Sequence, residues 1–182
     1  LLGSIYLSLY RPKDAEKHLR KAILDLEAVG DYDALPVVYN KLGDYESRFG
    51  SKSKAIYYYN EAINTATDLC ESEGQNDDLY NDVSDAMLGI AECYENNNEL
   101  EKAVEQYKKL LNHINEHNLE FADGVIKDII KLSDELGHKD DVEYYSSLLE
   151  QSEASHQDDE ELSFEDVLSH KLDSGEFSQA RQ

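Results

Sequence analysis

The chain has 182 residues, of which 40% are hydrophobic, and its formal net charge is −23. Enough apolar side chains are present to build a core. The acidic surface repels phosphates and anionic headgroups, which argues against direct binding of nucleic acid or membrane. No apolar run approaches 18 residues, and Cys70 and Cys93 offer neither disulfide nor metal-binding spacing. We therefore expect a soluble intracellular protein, nuclear or cytoplasmic, that carries no cofactor.

Apolar residues recur every three to four positions along most of the chain, which predicts helices and no competing strand. In chain order the predicted helices cover about Lys13–Val29, a segment from Asp33 to near Gly50, a segment from Ser51 or Ser53 to about Cys70, Leu79–Glu95, Leu100–His117, Glu120–Leu136 and Asp140–Ser152. Gly30 is a predicted C-cap and Asp33 a predicted N-cap. The polar segment Glu71–Asp78 is predicted as a long loop.

Residues 153–182 are predicted to form an acidic tail separate from the helical body, residues 1–152. The tail carries −7 of the net charge and begins with a polar linker, of which Gln157–Glu161 should be exposed. Beyond the linker, a helical stripe is formed by Phe164, Val167, Leu168 and Leu172. So short a helix is marginal alone, so we expect it to dock on this chain or on another protein. A disordered solubilising tail is the alternative.

A repeated unit organises the body. In Ile90–Leu111, two small residues lie twelve positions apart with Tyr94 and Tyr107 following them and three asparagines between, which indicates a helix, a tight turn and a second helix. Small residues at these positions allow two helices to approach closely. The same spacing recurs three more times. The four pairs are Gly3 and Ala15, Gly43 and Ala55, Ala91 and Ala103, and, in a worn copy, Ile130 and Val142.

This joint spacing resembles the tetratricopeptide repeat (TPR) family over roughly residues 1–150. The resemblance implies an all-α, right-handed helical solenoid of about three and a half to four helix-turn-helix repeats. The units begin about 40, 48 and 39 residues apart, longer than the usual 34. Such long repeats are similar to those of LGN/Pins-type spindle adaptors, kinesin light chains and tonsoku-like replication scaffolds, and Leu42-Gly43-Asp44 with the acidic tail is closest to the last. Because Leu1 falls inside a repeat, we expect a fragment of a longer array.

In the TPR family the first helices of the repeats line a concave groove, and the resemblance places this groove on named positions of the chain. They are Val37, Asn40, Asp44, Ser47 and Arg48 in the second unit, Asp85, Leu88, Glu92, Glu95 and Asn96 in the third, and Lys127 and Lys131 in the worn unit. Co-chaperones of the family hold acidic C-terminal peptides with a Lys and an Asn four residues later. This chain has Asn40/Asp44 and Leu88/Glu92 there, which argues against that clamp.

The groove acids predict a different partner, a basic or mixed-charge protein segment held by charge-assisted hydrogen bonds. A histone-binding platform for DNA replication and repair, as in tonsoku-like scaffolds, is the most specific form. An LGN/Pins-like spindle-orientation adaptor is one alternative. Another is a structural array segment whose activity lies outside this fragment, with the acids serving only as a solvated face.

Catalytic and metal-binding signals are weak. His113 and His117 lie four residues apart and could offer two metal ligands, but no third ligand is indicated, so we predict exposed polar histidines near a helix C-terminus. No phosphate-binding loop, nucleophile elbow or paired cysteine nucleophile appears. The sequence thus predicts a non-catalytic interaction scaffold without a metal.

Overall fold

The computed structural model describes residues 12–74 and 76–154, which form helices joined by short turns. The seven helices are α1 Pro12–Val29, α2 Leu35–Phe49, α3 Lys52–Glu73, α4 Asp77–Glu95, α5 Leu100–His117, α6 Ala122–Leu136 and α7, residues 139–154. The all-α prediction is confirmed. Gly3 and the segment from Phe164 to Leu172 lie outside the described residues, so the division into residues 1–152 and 153–182 stays a prediction.

The helices pack in sequence order as a linear array. Each helix from α1 to α5 contacts the next one, and α2 also contacts α4, the first helix of the following unit. Side chains of α6 and α7 meet in the Asp123–Ser152 and Lys127–Glu153 pairs. The pairs α2/α3, α4/α5 and α6/α7 match the predicted units, and α1 is the second helix of the first unit. Asn98 and Gly137 adopt left-handed φ angles of 57° and 74° in the turns of the last two pairs. These angles suit asparagine and glycine and permit the tight reversals.

Small residues bring the helices close together, as the spacing predicts. Ala55, Ala91 and Ala103 have no exposed surface. Between α2, α3 and α4 the ring of Tyr59 lies against Gly43 and Gly89, where an added Cβ would overlap the ring from either side. Only 3% of Tyr59 is exposed. The glycines therefore make room for an aromatic side chain that joins two consecutive repeats.

The largest hydrophobic cluster lies in the second half of the array. Leu110 and Ile114 of α5 and Ile129 and Leu132 of α6 are almost completely buried there, and α7 adds Tyr145 and Leu149 at its edge. The predicted fourth unit therefore exists as a helix pair. Its template residues, Ile130 and Val142, are only half-buried, so the pair lacks the close small-residue contact of the earlier units.

Two local predictions are wrong. The predicted loop Glu71–Asp78 is mostly helical, because α3 continues to Glu73 and α4 starts at Asp77. Asn76 caps α4 by accepting hydrogen bonds from the backbone of Asp78 and Leu79. The 48-residue spacing therefore comes from long helices. The N-cap of α2 is Ala34 rather than Asp33, and no side chain caps that helix.

Candidate partner-binding groove

The candidate groove lies along one face of α2 and α4, where two consecutive repeats meet. A cavity of about 200 Å³ opens between the helices. Its lining includes five of the predicted groove residues together with Lys41 and Gly89. The five are Asn40, Asp44, Asp85, Leu88 and Glu92. Residues 41 or more positions apart in sequence are thus brought to a single site by the packing of the two first helices.

Asn40 links α2 to α4 by a hydrogen bond. Its side-chain nitrogen donates a hydrogen bond to the backbone carbonyl of Asp82 at 2.9 Å. The residue is only 5% exposed, and its Oδ1 has no hydrogen-bond partner among the described residues. Asn40 therefore has a structural hydrogen bond in the wall of the groove, and its second polar atom is unsatisfied there.

Asp44 is anchored at the floor of the groove. The hydroxyl of Tyr59 donates to one carboxylate oxygen at 3.0 Å, and the Lys41 ammonium donates to the other at 3.0 Å. The Tyr59 hydroxyl in turn has a pKa raised by burial and by the nearby Asp44 charge. Because both oxygens already have donors, Asp44 is oriented before any partner arrives.

Three carboxylates of α4, those of Asp82, Asp85 and Glu92, have raised pKa values. Desolvation raises the pKa of Asp82 to about 6, with added repulsion from Asp85 and Asp78. Desolvation also raises the pKa of Asp85 and, together with Asp44, Glu95 and Asp128, that of Glu92. These groups lack enough cationic neighbours to offset the loss of water and their mutual repulsion. A cation placed among them would stabilise their charged forms.

Glu95 differs from the other groove acids because it is already neutralised. It accepts a hydrogen bond from Lys131 of α6 at 2.8 Å and one from the Tyr107 hydroxyl at 3.0 Å. Both bonds lower its pKa. Lys131 therefore joins the groove as the ion-pair partner of Glu95 rather than as a free cation. Lys127, also predicted for the groove, pairs with Glu153 of α7 at 3.6 Å.

The remaining predicted residues lie at the ends of the groove. Arg48 is exposed near the end of α2, where its charge opposes the pKa increase of Glu92. Asn96 is exposed at the C-cap of α4. Val37 is 45% exposed and lines a neighbouring cavity, and Ser47 contacts the Cys93 thiol, with 3.6 Å between oxygen and sulfur. These four side chains do not share the cavity of Asp44 and Glu92.

The acidic surface extends beyond the residues predicted from the sequence. A second cavity of about 550 Å³ at the start of α4 is lined by Asp33, Asp78 and Asp82, with Asn76 and Asn81 beside them. Asp128 of α6 extends the surface at the other end, since its charge raises the pKa of Glu92. The spacing of Asp78, Asp82 and Asp85 at four and three residues was a usable signal, because these positions share one helical face.

Other chemistry is limited in the described residues. No group of three His, Cys, Asp or Glu side chains forms a metal site in residues 12–74 and 76–154. The prediction that His113 and His117 are exposed is wrong. Both rings are partly buried, because His117 stacks on Tyr80 with 3.6 Å between ring centres and His113 Nε2 lies 3.1 Å from the Tyr80 carbonyl oxygen. Across the same ranges, no helix combines the length and apolar character needed to cross a bilayer.

The fold and the groove define an all-α helical-repeat protein with an elongated surface between its first helices. A family model described as tetratricopeptide repeat matches residues 85–113, the second half of α4 and most of α5. Residues 85–113 therefore match a tetratricopeptide repeat, and the helix pairs on either side have the same helical-repeat arrangement. Repeats of this type generally form non-catalytic protein–protein interaction scaffolds.

A solved structure supports the fold. The crystal structure of BtubC (BKLC) from P. vanneervenii is similar, with a TM-score of 0.67 and 16% sequence identity. The similarity covers 86% of this chain and 62% of that chain, so this chain spans less than two thirds of its length. No curated protein matches the sequence. At this identity the comparison concerns the fold alone.

Proposed function

We propose that the chain binds a Lys- and Arg-rich protein segment along the acidic face of α2 and α4. The observation that carries the proposal is the set of carboxylates around the 200 Å³ cavity, with Asp44 held in place and Asp85 and Glu92 at raised pKa. Asp85 and Glu92 are exposed, so a guanidinium or ammonium group of a partner can reach them, and it would offset the repulsion that each experiences from neighbouring carboxylates.

The groove also has features that a peptide needs besides charge. Leu88 supplies a half-buried apolar surface between Asp85 and Glu92, on which the aliphatic stem of a lysine or arginine can lie. Lys41 and Arg48 make the surface mixed rather than purely acidic. A segment with spaced basic residues therefore fits better than an uninterrupted basic run.

A histone-like tail bound by a tonsoku-like replication and repair platform is the most specific form of this proposal. The acidity of the groove supports it, because such tails are rich in lysine and arginine. An LGN/Pins-like adaptor would use the same surface for another partner, and a structural array segment would leave it unoccupied. The choice of peptide in a binding assay separates these functions.

The test is the affinity of the full chain for Lys/Arg-rich peptides, measured by calorimetry at several salt concentrations. Exposed charge pairs are screened over about 10 Å at 0.1 M salt, so affinity should fall as salt rises. Charge reversal at Asp85 and Glu92 should lower the affinity about tenfold or more and abolish most of its salt dependence. Asp44→Asn, which keeps the shape of the side chain, should weaken binding less.

Glu150→Lys is the matched control, because it makes the same charge change at an exposed position of α7. It should leave affinity and salt dependence nearly unchanged. Equal losses for Glu150→Lys and Glu92→Lys would mean that net charge alone drives association, and binding that ignores both salt and the groove reversals would refute the proposal.

A further inference from the structure

A separate, mainly apolar cavity of about 490 Å³ lies on the other side of α4. Its walls are the C-terminal half of α3 and the last turns of α5, and its floor is formed by Val83 and Met87 of α4. The stacked rings of Tyr80 and His117 form part of its rim. A volume of this size lies in the range of about 300–1,000 Å³ typical of binding pockets.

This cavity is independent of the acidic groove. At about 100° per residue along an α-helix, the face of α4 with Tyr80, Val83 and Met87 lies roughly half a turn from the face with Asp82 and Asp85. A segment bound in the apolar cavity would therefore leave the groove open, and the two surfaces can be tested separately.

The chain leaves the described array at the same end as the cavity. Ser152, near the end of α7, donates a hydrogen bond to Asp123 at 2.8 Å, and Asp123 lies in the first turn of α6. The helix before α6 is α5, whose final turns carry His113 and His117 on the cavity wall. Lys108 and Asp141 join α7 directly to α5 at 2.7 Å. Residue 154 is thus separated from the cavity by about the width of one helix.

The sequence after residue 154 has the length and pattern to occupy the cavity. Phe164 lies ten positions after residue 154, a span of about 33 Å in extended form, whereas packed helix axes lie about 8–10 Å apart. Four apolar residues then recur at helical spacing: Phe164, Val167, Leu168 and Leu172. Such a helix is too short to be stable in water without a surface on which to bury this face.

We propose that residues 163–172 dock as an amphipathic helix in the cavity between α3 and α5 of the same chain. The apolar face contacts Val83 and Met87, and Phe164 adds to the aromatic rim formed by Tyr80 and His117. The acidic linker, residues 157–161, spans the end of α5 in solvent. The docked segment covers Cys70, which is half-buried in the cavity wall.

The test uses the alkylation rate of Cys70 by N-ethylmaleimide in the full chain, resolved from Cys93 by mass spectrometry. Cys93 is 2% exposed and serves as an internal reference for opening of the array. Phe164→Asp and Leu168→Asp should each speed alkylation of Cys70 about tenfold, the change expected when a segment docked about nine-tenths of the time is released. Cys93 should react at its original rate.

Ser169→Asp is the matched control, because it adds the same charge next to Leu168 but off the apolar face. It should leave Cys70 as slow as in the unaltered chain. Docking within one chain is independent of protein concentration, so about a hundredfold dilution should not change the rate. Equal Cys70 rates in all variants would overturn the proposal, as would protection that disappears on dilution, which would assign the cavity to a second copy.

Discussion

Replacing Gly89 with alanine should destabilise the array even though alanine is the better helix former. The added Cβ would overlap three atoms of the Tyr59 ring. The ring has no room to move aside, because Gly43 packs against it from α2 and its hydroxyl is held by Asp44 at 3.0 Å. The clash lies where consecutive repeats meet, so relieving it requires α3 and α4 to separate.

Two effects of opposite sign decide the magnitude. Alanine in place of glycine inside a helix stabilises by about 1 kcal/mol. Overpacking a well-filled core costs about 1–3 kcal/mol, and the upper half of that range applies to an aromatic ring fixed on two sides. The net loss is then about 1–2 kcal/mol. For a chain of this size the midpoint of thermal unfolding should fall by about 2–8 °C.

Gly124→Ala provides the matched control in α6, because no atom lies within 4 Å of the Cβ that it would add. Thermal unfolding followed by circular dichroism should show a small rise for Gly124→Ala and a fall for Gly89→Ala. In a Tyr59→Leu background the clash disappears, and Gly89→Ala should become neutral or stabilising. A midpoint that rises for Gly89→Ala in the unaltered chain would refute the packing described for Tyr59.

Three further outcomes are expected. Ala103→Leu should cost about 1–3 kcal/mol of stability, seen as a lower unfolding midpoint, because Ala103 has no exposed surface. Asp82→Asn should raise the midpoint of thermal unfolding at pH 7 but not near pH 4. The pKa of Asp82 is about 6 in the folded chain, so ionisation of this side chain destabilises the fold as pH rises from about 4 to above 6. Peptide affinity, measured by calorimetry, should fall as pH is lowered through the pKa of Asp82, about 6, because this carboxylate then loses its charge, and the raised pKa values of Asp85 and Glu92 act in the same direction. A flat profile would contradict this.

The helical pairs were predictable because the local pattern and the packing agree. Small residues twelve positions apart, as at Ala91 and Ala103, allow two helices to approach closely, and the turn between them needs residues such as Asn98 that tolerate a left-handed conformation. The repeat spacing therefore carried three-dimensional information. The worn fourth unit was found on the same basis, although Ile130 and Val142 pack less tightly.

Helix ends were less predictable. The polar run at Glu71–Asp78 suggested a loop, but a long helix with a buried face tolerates polar residues on its outer side, and α3 extends through Ser72. Gly74 follows the end of α3 with a positive φ of 101°, and Asn76 caps the start of α4. Local composition could not separate an exposed helical turn from a loop.

The chemistry of the groove depended on contacts that no linear pattern contains. The family register placed Asp44, Asp85 and Glu92 in one groove, and the three residues line one cavity. The register does not contain the hydrogen bond from the Asn40 side chain to the Asp82 carbonyl. Nor does it contain the ion pair between Lys131 and Glu95, which lie 36 positions apart. Which acids remain available for a partner is set by these pairings, because a paired carboxylate has less to gain from a cation.

Backbone amide NMR, recorded while the full chain is titrated with a Lys/Arg-rich peptide, locates the surface to which a basic segment binds. The amide signals of residues 40–48 and 82–95 should shift during the titration, and their shifts should fit a single binding isotherm. Residues 104–117 of α5, on the far side of the pair, should shift little. Shifts centred on α5 and α7, or spread evenly over the array, would contradict the account.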